Sequence, residues 1–319
     1  MNPNLKAIGT PKGQEWFGRT YSLKFFDVNN KLMHEIFQDQ RNSWQGLRIK
    51  FEIKQMTYFI NQEAMIQIYN LSATTRKLIS KAQRVVLTAG YQLNSGVLYM
   101  GRVMNVYDNR IQPDYLLTFI CLDFVPNYEP ISITIPAGTT PINALKSVAA
   151  LVPDLAVNSV NLKNLPTAPT TQKIVIPQME YTAALNRLGQ ELGADVWVLN
   201  GNLYSLPQKL NNFPDQADVV EVDYQTGMIG SPFFDLANTG INVTALLNPR
   251  LLPGNLVRVK TLNPQVQVGM AKYIKFDQDT LTRGTWIINS SQHTGDSRDG
   301  TWETFVQGYT FDPQGISLV

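Results

Sequence analysis

The sequence contains 319 residues, of which 44% are hydrophobic and only 16% charged, and its net charge is +2. This length allows two or three domains with substantial cores, and the composition excludes a disordered chain. The near-neutral charge, without a cluster of lysine and arginine, argues against a dedicated nucleic-acid-binding surface. Because the charged fraction is below that of a typical soluble chain, we expect additional surface to be buried against partner subunits.

Cys121 is the only cysteine, and it lies in an apolar run. A single thiol cannot form an internal disulfide, so we expect synthesis in a reducing compartment and a buried, structural Cys121. The N-terminal sequence lacks the apolar core of a signal peptide, and no window approaches the roughly 20 apolar residues of a membrane span. We therefore expect a protein made in the cytoplasm, without a membrane anchor.

The first predicted β domain spans residues 19–130 and follows an N-terminal arm of residues 1–18 that ends in aromatic residues. Alternating apolar and polar residues predict half-buried strands. A short helix from Ala73 to Lys81 interrupts them, and the hydroxyl of Ser72 is suited to cap its first turn. Short strands with closely spaced turns are typical of an antiparallel barrel or sandwich. The predicted strands are 21–26, 47–53, 64–69, 84–89, 97–107 and 115–122.

Residues 131–215 predict a small α/β domain with two helices. Thr140 followed by proline predicts the first helix start, with the threonine hydroxyl as its cap. The second helix is predicted from about Thr182 to Leu192, with Gly193 as its C-terminal stop. Between two apolar runs, Asn200-Gly201 predicts a hairpin turn. The Asn-, Asp- and Pro-rich stretch 207–218 is predicted to be the linker out of this domain.

Residues 216–319 return to the strand pattern and form the second predicted β domain. The predicted strands are 219–224, 240–247, 256–260, 271–276, 285–290 and 301–308. The fold class is therefore mainly β with a small α/β insert, consisting of two antiparallel β-barrel or sandwich domains plus an α/β domain. This order allows the two β domains to be distant structural copies.

Residues suited to catalysis are sparse. His34 and His293 are far apart in the sequence and lack partners at metal-ligand spacing. His293 and Asp296, with Asp299 close behind, are the strongest candidate pair, but the surrounding Ser, Gly and Asp residues favour the polar tip of a hairpin. Metal-binding, phosphate-loop and nucleophile motifs are not found. We assign no catalytic, cofactor-binding or metal-binding residue, and we expect no cofactor.

Three carboxylates, Glu180, Glu191 and Asp195, are the candidates for a glycosidase pair. Glu180 and Glu191 flank a helix whose apolar face is explained by core packing, so solvated charges are the favoured interpretation. The aromatic residues fall mainly in predicted strands, which favours core or interface anchors over a sugar-stacking surface. The tryptophans concerned are Trp197, Trp286 and Trp302.

Three segments carry a family resemblance in combination. The first begins with Ile66-Gln-Ile-Tyr-Asn-Leu-Ser72 and continues through Arg76, Ile79, 85–91 and 98–103. The second is 182–206, and the third joins 248–254 to 287–296 and 302–304. Together they resemble the baseplate hub proteins of tailed bacteriophages, which are trimeric rings between the tail tube and the central spike. This family is related to late control protein D and to the hub part of secretion-system spikes.

The resemblance implies two tube-like β domains per subunit, so that three subunits form a pseudo-sixfold ring on the sixfold tail tube. It implies a structural, non-enzymatic hub in the virion's tail baseplate that adapts symmetry, nucleates tail assembly and lines the channel for DNA and the tape-measure protein. The implied partners are further copies of the chain, the tail tube or tube-initiator protein, a separate spike, the tape-measure protein and baseplate wedge proteins. Two alternatives remain open, a tail-associated cell-wall hydrolase and a carbohydrate- or receptor-binding tail module.

Overall fold

The computed structural model describes residues 18–38, 46–57, 62–123, 129–152, 155–162, 165–208, 219–235, 240–266, 274–276, 282–310 and 316–318. The chain forms two compact units. The first unit comprises Met1–Gln55, Glu63–Cys121 and Gln216–Val319, and the second comprises Met56–Gln62 and Leu122–Asp215. The predicted N-terminal arm up to residue 17 and residues 209–218 of the predicted linker lie outside the described residues.

Within the described ranges, seven strands and one helix form the N-terminal part of the first unit, here called the first β part. The strands are β1 (Arg19–Phe26), β2 (Leu32–Phe37), β3 (Ile49–Met56), β4 (Glu63–Tyr69), β5 (Arg84–Tyr91), β6 (Asn94–Ile111) and β7 (Asp114–Leu122). The helix α1 (Ala73–Ile79) follows Ser72, whose side-chain oxygen accepts the Thr75 N–H at 3.1 Å and confirms the predicted cap. Alternate residues such as Ile49, Phe51 and Ile53 are buried in one shared core, as the period of two predicts.

The second unit packs two helices against short strands. Its elements are β8 (Ile131–Ile135), α2 (Pro141–Ala149), β9 (Ile174–Met179), α3 (Tyr181–Glu191), β10 (Ala194–Leu199) and β11 (Asn202–Pro207). Gly193, Asn200 and Gly201 have positive φ angles of 69°, 53° and 72°, which confirms the predicted helix stop and hairpin turn. Thr140 is the N-cap of α2, but its side chain makes no capping hydrogen bond, so the predicted hydroxyl cap is wrong.

In the residues that the structure describes, nine strands form the C-terminal part of the first unit, here called the second β part. They are β12 (Val219–Val222), β13 (Met228–Asp235), β14 (Gly240–Leu246), β15 (Leu256–Val259), β16 (Gln265–Val266), β17 (Ile274–Phe276), β18 (Thr285–Asp296), β19 (Trp302–Thr310) and β20 (Ile316–Leu318). The sequence pattern did not indicate β13, and β18 runs six residues beyond its predicted end at Ser290.

In the described ranges, one 14-stranded sheet joins the two β parts in the order β16-β13-β14-β19-β18-β3-β4-β7-β6-β5-β1-β2. β15 pairs with β18, and β12 pairs with β15. Over the described ranges this sheet does not close into a barrel. It carries two hydrophobic cores, and Leu247 and Trp302 of the second β part join the core of the first. The predicted fold class, mainly β with a small α/β insert, is confirmed. Of the helices in the described ranges, none has the length and apolarity that crossing a bilayer demands.

The two β parts repeat one strand order. The first part reads β3-β4-β7-β6-β5-β1, and the second reads β13-β14-β19-β18-β15-β12. In both, an antiparallel hairpin comes first (β3–β4 and β13–β14), and an antiparallel pair links the fifth strand to the start of the fourth (β5–β6 and β15–β18). The last pair differs, because β1 is antiparallel to β5 whereas β12 is parallel to β15. The first five strands therefore form a structural duplication.

Candidate functional site

The two β parts meet where β18 pairs with β3, and this contact is here called the seam. The backbone N–H of Ile49 donates to the Ser297 hydroxyl at 3.0 Å, and the N–H of Ser297 donates to the Ile49 carbonyl at 2.9 Å. At the other end, the Ser291 hydroxyl donates to the Gln55 side chain at 3.5 Å. The residue numbers of the bonded partners fall along β18 as they rise along β3, so the two strands run antiparallel.

Asp296 is the carboxylate that binds the cations at the seam. Arg48, directly before β3, donates to both of its carboxylate oxygens, from Nη2 to Oδ2 at 2.6 Å and from Nε to Oδ1 at 3.1 Å. Lys50 adds a second cation, with Nζ 3.3 Å from Oδ2. A two-pronged guanidinium–carboxylate contact fixes distance and angle together, so Asp296 sets the register of β18 against β3.

Burial alone would raise the pKa of the Asp296 carboxyl, but hydrogen bonds from Arg48, from the backbone N–H of Arg298 and from Lys50 outweigh it. The pKa of Asp296 therefore lies below its ordinary value, and the carboxylate remains charged at neutral pH.

The turn after Asp296 is held to the first β part by arginine side chains. Arg19 of β1 donates to the carbonyl oxygens of Asp296, Asp299 and Gly300 at 3.0, 3.2 and 2.8 Å. Arg298 in turn donates to the carbonyl of Gly46. Asp299 lies in the hairpin turn, as predicted.

His293 is fully buried in β18, so its predicted position in the polar tip of a hairpin is wrong. Its Nδ1 lies 2.9 Å from the Thr304 hydroxyl, which accepts the backbone N–H of Asn248 at 3.0 Å. Among the described residues, Nε2 has no hydrogen-bond partner. Burial lowers the pKa of His293 to about 3, so the ring is neutral and acts as an interior polar contact.

His293 and Asp296 do not form a catalytic pair. They are three residues apart on one strand, so their side chains leave opposite faces of the sheet. His293 reaches the interior hydroxyl of Thr304, whereas Asp296 reaches Arg48 and Lys50. The placement of Asp296 in a hairpin tip is also wrong, because it ends β18 and is only 8% exposed. Both residues connect strands.

A cavity of about 330 Å³ lies at the seam, on the face of the sheet that carries Asp296. Its polar lining includes Lys50, Glu52, Gln67, Thr294 and Asp299. Glu52 accepts hydrogen bonds from Lys54 and Gln292, both at 2.9 Å, so its charge is partnered. Within the described ranges, no three His, Cys, Asp or Glu side chains cluster in a way that could hold a metal ion.

Glu180 and Glu191 lie too far apart to act as a glycosidase pair. Glu180 is the N-cap of α3 and Glu191 its last residue, which puts them about 16 Å apart at the helical rise of ~1.5 Å per residue. Glycosidase pairs are separated by about 5–9.5 Å. Asp195 lies on β10, where it accepts a hydrogen bond from Gln208 at 3.4 Å.

The three candidate tryptophans are structural anchors, as favoured from the sequence. Their exposed fractions are 1% for Trp197, 0% for Trp286 and 2% for Trp302. Trp302 donates from Nε1 to the Gly90 carbonyl at 3.0 Å and so ties β19 to β5. Buried rings cannot present a flat surface to a sugar.

Asp123 in the second unit is a buried carboxyl that the sequence analysis did not single out. Its Oδ1 accepts the backbone N–H of Gln62 at 2.9 Å, and its own N–H donates to the Gln62 carbonyl at 3.0 Å. The Gln62 side chain continues to the Val198 carbonyl on β10 at 3.0 Å. Burial raises the pKa of Asp123 well above its ordinary value, despite these backbone hydrogen bonds. This network joins the two chain segments of the unit.

No protein-family model and no curated relative matches the sequence. The fold is similar to that of a tail protein from Neisseria meningitidis MC58, with a TM-score of 0.54 and 12% identity over 92% of this chain and 96% of that one. It is similar to the 43 kDa tail protein of prophage MuSo2 from Shewanella oneidensis, with a TM-score of 0.55 and 11% identity over 93% and 99% of the two chains.

The fold is also similar to that of the E. coli c3393 protein, with a TM-score of 0.51 and 10% identity over 85% of this chain and 76% of that one. The c3393 protein is described as a type VI secretion component with structural similarity to the T4 tail proteins gp27 and gp5. At these identities the likeness is one of fold. The resemblance to tail hub proteins seen in the three sequence segments is confirmed at that level.

Proposed function

We propose that this protein is the structural baseplate hub of a bacteriophage tail. In this proposal three copies form a pseudo-sixfold ring that joins the sixfold tail tube to a threefold central spike. The observation that carries the proposal is the duplicated strand order β3-β4-β7-β6-β5 and β13-β14-β19-β18-β15 within one chain. Two equivalent β parts per chain give a trimer six equivalent positions, which is the number a sixfold partner requires.

The fold similarity to phage tail proteins and to a secretion-system component supports a structural tail role. The seam supports the same role, because its charged and buried polar residues connect strands. As a tail baseplate component, the hub would contact the tail tube or tube-initiator protein, the spike, the tape-measure protein and the wedge proteins. It would nucleate tail assembly.

The face of the seam that carries Asp296 is suited to line a channel that DNA passes through. Its cations are partnered by carboxylates: Arg48 and Lys50 by Asp296, and Lys54 by Glu52. Two carboxylates against three cations leave these five groups with a net charge of only +1, so they release few counterions from DNA and hold phosphate weakly. A channel wall of this kind would let DNA move without being retained.

The mass and symmetry of the purified protein test the proposal. Light scattering should give about 107 kDa, which is three times the chain mass of 35.8 kDa. Electron microscopy should show rings with threefold symmetry and six similar lobes. A protein that stays monomeric at every concentration, and that does not bind purified tail tube protein, would contradict the hub assignment.

A further inference from the structure

The first β part leaves open a strand edge that is filled in the second β part. β6 pairs with β5 from Asn94 to Arg102, and the Val103 N–H donates to the Gln83 carbonyl. Beyond Val103, no strand among the described residues pairs with this edge of β6. The counterpart of β6 is β18, which pairs with β15 at its start and then continues along β3. The same edge is therefore covered in one repeat and uncovered in the other.

The uncovered edge is exposed and partly apolar. Met104 is 41% exposed, Tyr107 50% and Ile111 57%. A free strand edge presents unpaired N–H and C=O groups that readily add a strand from another chain.

The strand that fills this edge in the second repeat is β3, and the counterpart of β3 is β13. Both contain eight residues, both form the first strand of a hairpin, and both occupy the same place in the strand order. On the outer edge of β13, β16 pairs with Phe233 and Phe234, and the Met228 N–H donates to the Asp223 carbonyl at 2.8 Å. Among the described residues, no strand pairs with that edge from Ile229 to Pro232, and Ile229 is 40% exposed.

We propose that residues Ile229–Pro232 of β13 in one copy add antiparallel to the edge of β6 near Tyr107–Ile111 in the next copy, repeating the pairing of β3 with β18. The seam sets the direction, because the start of β3 lies opposite the end of β18. The start of β13 then lies beside Ile111. Donor strand and acceptor edge lie at different places in one sheet, so the contact is head-to-tail, and a head-to-tail contact forms a ring when the rotation between copies closes after three subunits.

This inference rests on the proposed trimer and identifies the strands that join its subunits. It also explains why one chain contains both a filled and an open form of the same edge: the internal seam joins two β parts within a subunit, and the β6–β13 contact joins them between subunits. The internal seam and the β6–β13 contact then alternate around the ring.

Paired cysteines test the contact in the full-length protein. Asn109→Cys is combined, in separate variants, with Ile229→Cys, Gly230→Cys or Ser231→Cys, and each protein is oxidised and run on a non-reducing gel. At least one pair should give cross-linked dimers and trimers. Cys121 adds no background, because burial raises its thiol pKa to about 12.

A matched control combines Leu93→Cys with Ser231→Cys, since Leu93 is 70% exposed on the β5–β6 turn, away from the proposed edge. This pair should give no ladder. Trimers by light scattering without cross-linking from any of the three pairs would overturn the β6–β13 contact and leave the trimer standing. A chain that remains monomeric would overturn both, so the two failures are distinguishable.

Charge at the contact gives an independent measurement. Ile111→Lys and Ile229→Lys change exposed side chains, so each variant should keep the wild-type circular dichroism spectrum. Each should raise the concentration at which trimers dissociate by at least about tenfold, because a lysine buried in the contact loses its hydration. Leu93→Lys should dissociate like the wild type. Unchanged trimers in both contact variants would refute the inference.

Discussion

Replacing His293 tests whether a buried neutral imidazole makes folding depend on pH. The folded state keeps this ring neutral, since burial lowers its pKa to about 3, whereas an unfolded histidine titrates near 6.5. The unfolded state therefore binds more protons below pH 6.5, so stability falls as the pH is lowered through 6.5 towards 3. Between pH 7 and pH 5 this one residue should cost about 2 kcal/mol of unfolding free energy.

The assay is denaturant unfolding of wild type and His293→Gln at pH 7, 6 and 5, followed by tryptophan fluorescence. The variant will be less stable at pH 7, but it should lack the ~2 kcal/mol decline towards pH 5. Asp123 titrates in both proteins, so its contribution cancels in the difference. His34→Gln is the matched control. Its unfolding free energy should depend on pH as in the wild type, because the buried ring of His293 is still present. Equal slopes for wild type and His293→Gln would refute the reasoning.

The remaining predictions concern the helix core, the seam and the buried acid. Leu185→Asp should abolish soluble expression, because an unpaired carboxylate in this fully buried position costs several kcal/mol. The control Asn186→Asp changes an exposed residue of the same helix and should express normally. Equal yields of the two variants would show that this face of α3 does not form the core. Asp296→Ala should lower the unfolding free energy by about 2 kcal/mol, and a double-mutant cycle with Arg48→Met should show coupling between them. Asp123 has a raised folded pKa, so stability should fall as pH rises above about 4, and melting curves of Asp123→Asn from pH 4 to 8 should lack that decline.

The alternating strands and amphipathic helices were predictable because each depends on local periodicity. Ser72, Gly193 and Asn200-Gly201 were predicted for the same reason, since a cap or a tight turn needs a particular residue type at one position. β13 was missed because Gly230 and Pro232 interrupt its alternation and its pairing has an irregularity between Ile229 and Phe233.

The candidate site was misplaced for a different reason. Ser, Gly and Asp around His293 are typical of turns, but here they extend a strand whose polar groups are satisfied across the seam. The partners of Asp296 are Arg48 and Lys50, about 250 positions earlier, and no local pattern relates them. Sequence reasoning identified the charged residues and could not pair them. The division into domains 19–130, 131–215 and 216–319 stays a prediction. A single sheet runs across the two β parts, and no local sequence signal indicates the seam where they pair.

The seam also determines when the molecule can finish folding during synthesis. Ile49 bonds to Ser297, 248 positions further along the chain, so β3 has left the ribosome long before its partner hairpin exists. Until then β3 carries an open edge on a nascent polypeptide, the state in which unwanted strand addition is easiest. The last hairpin to be translated covers this edge, and a chain truncated before β18 should aggregate.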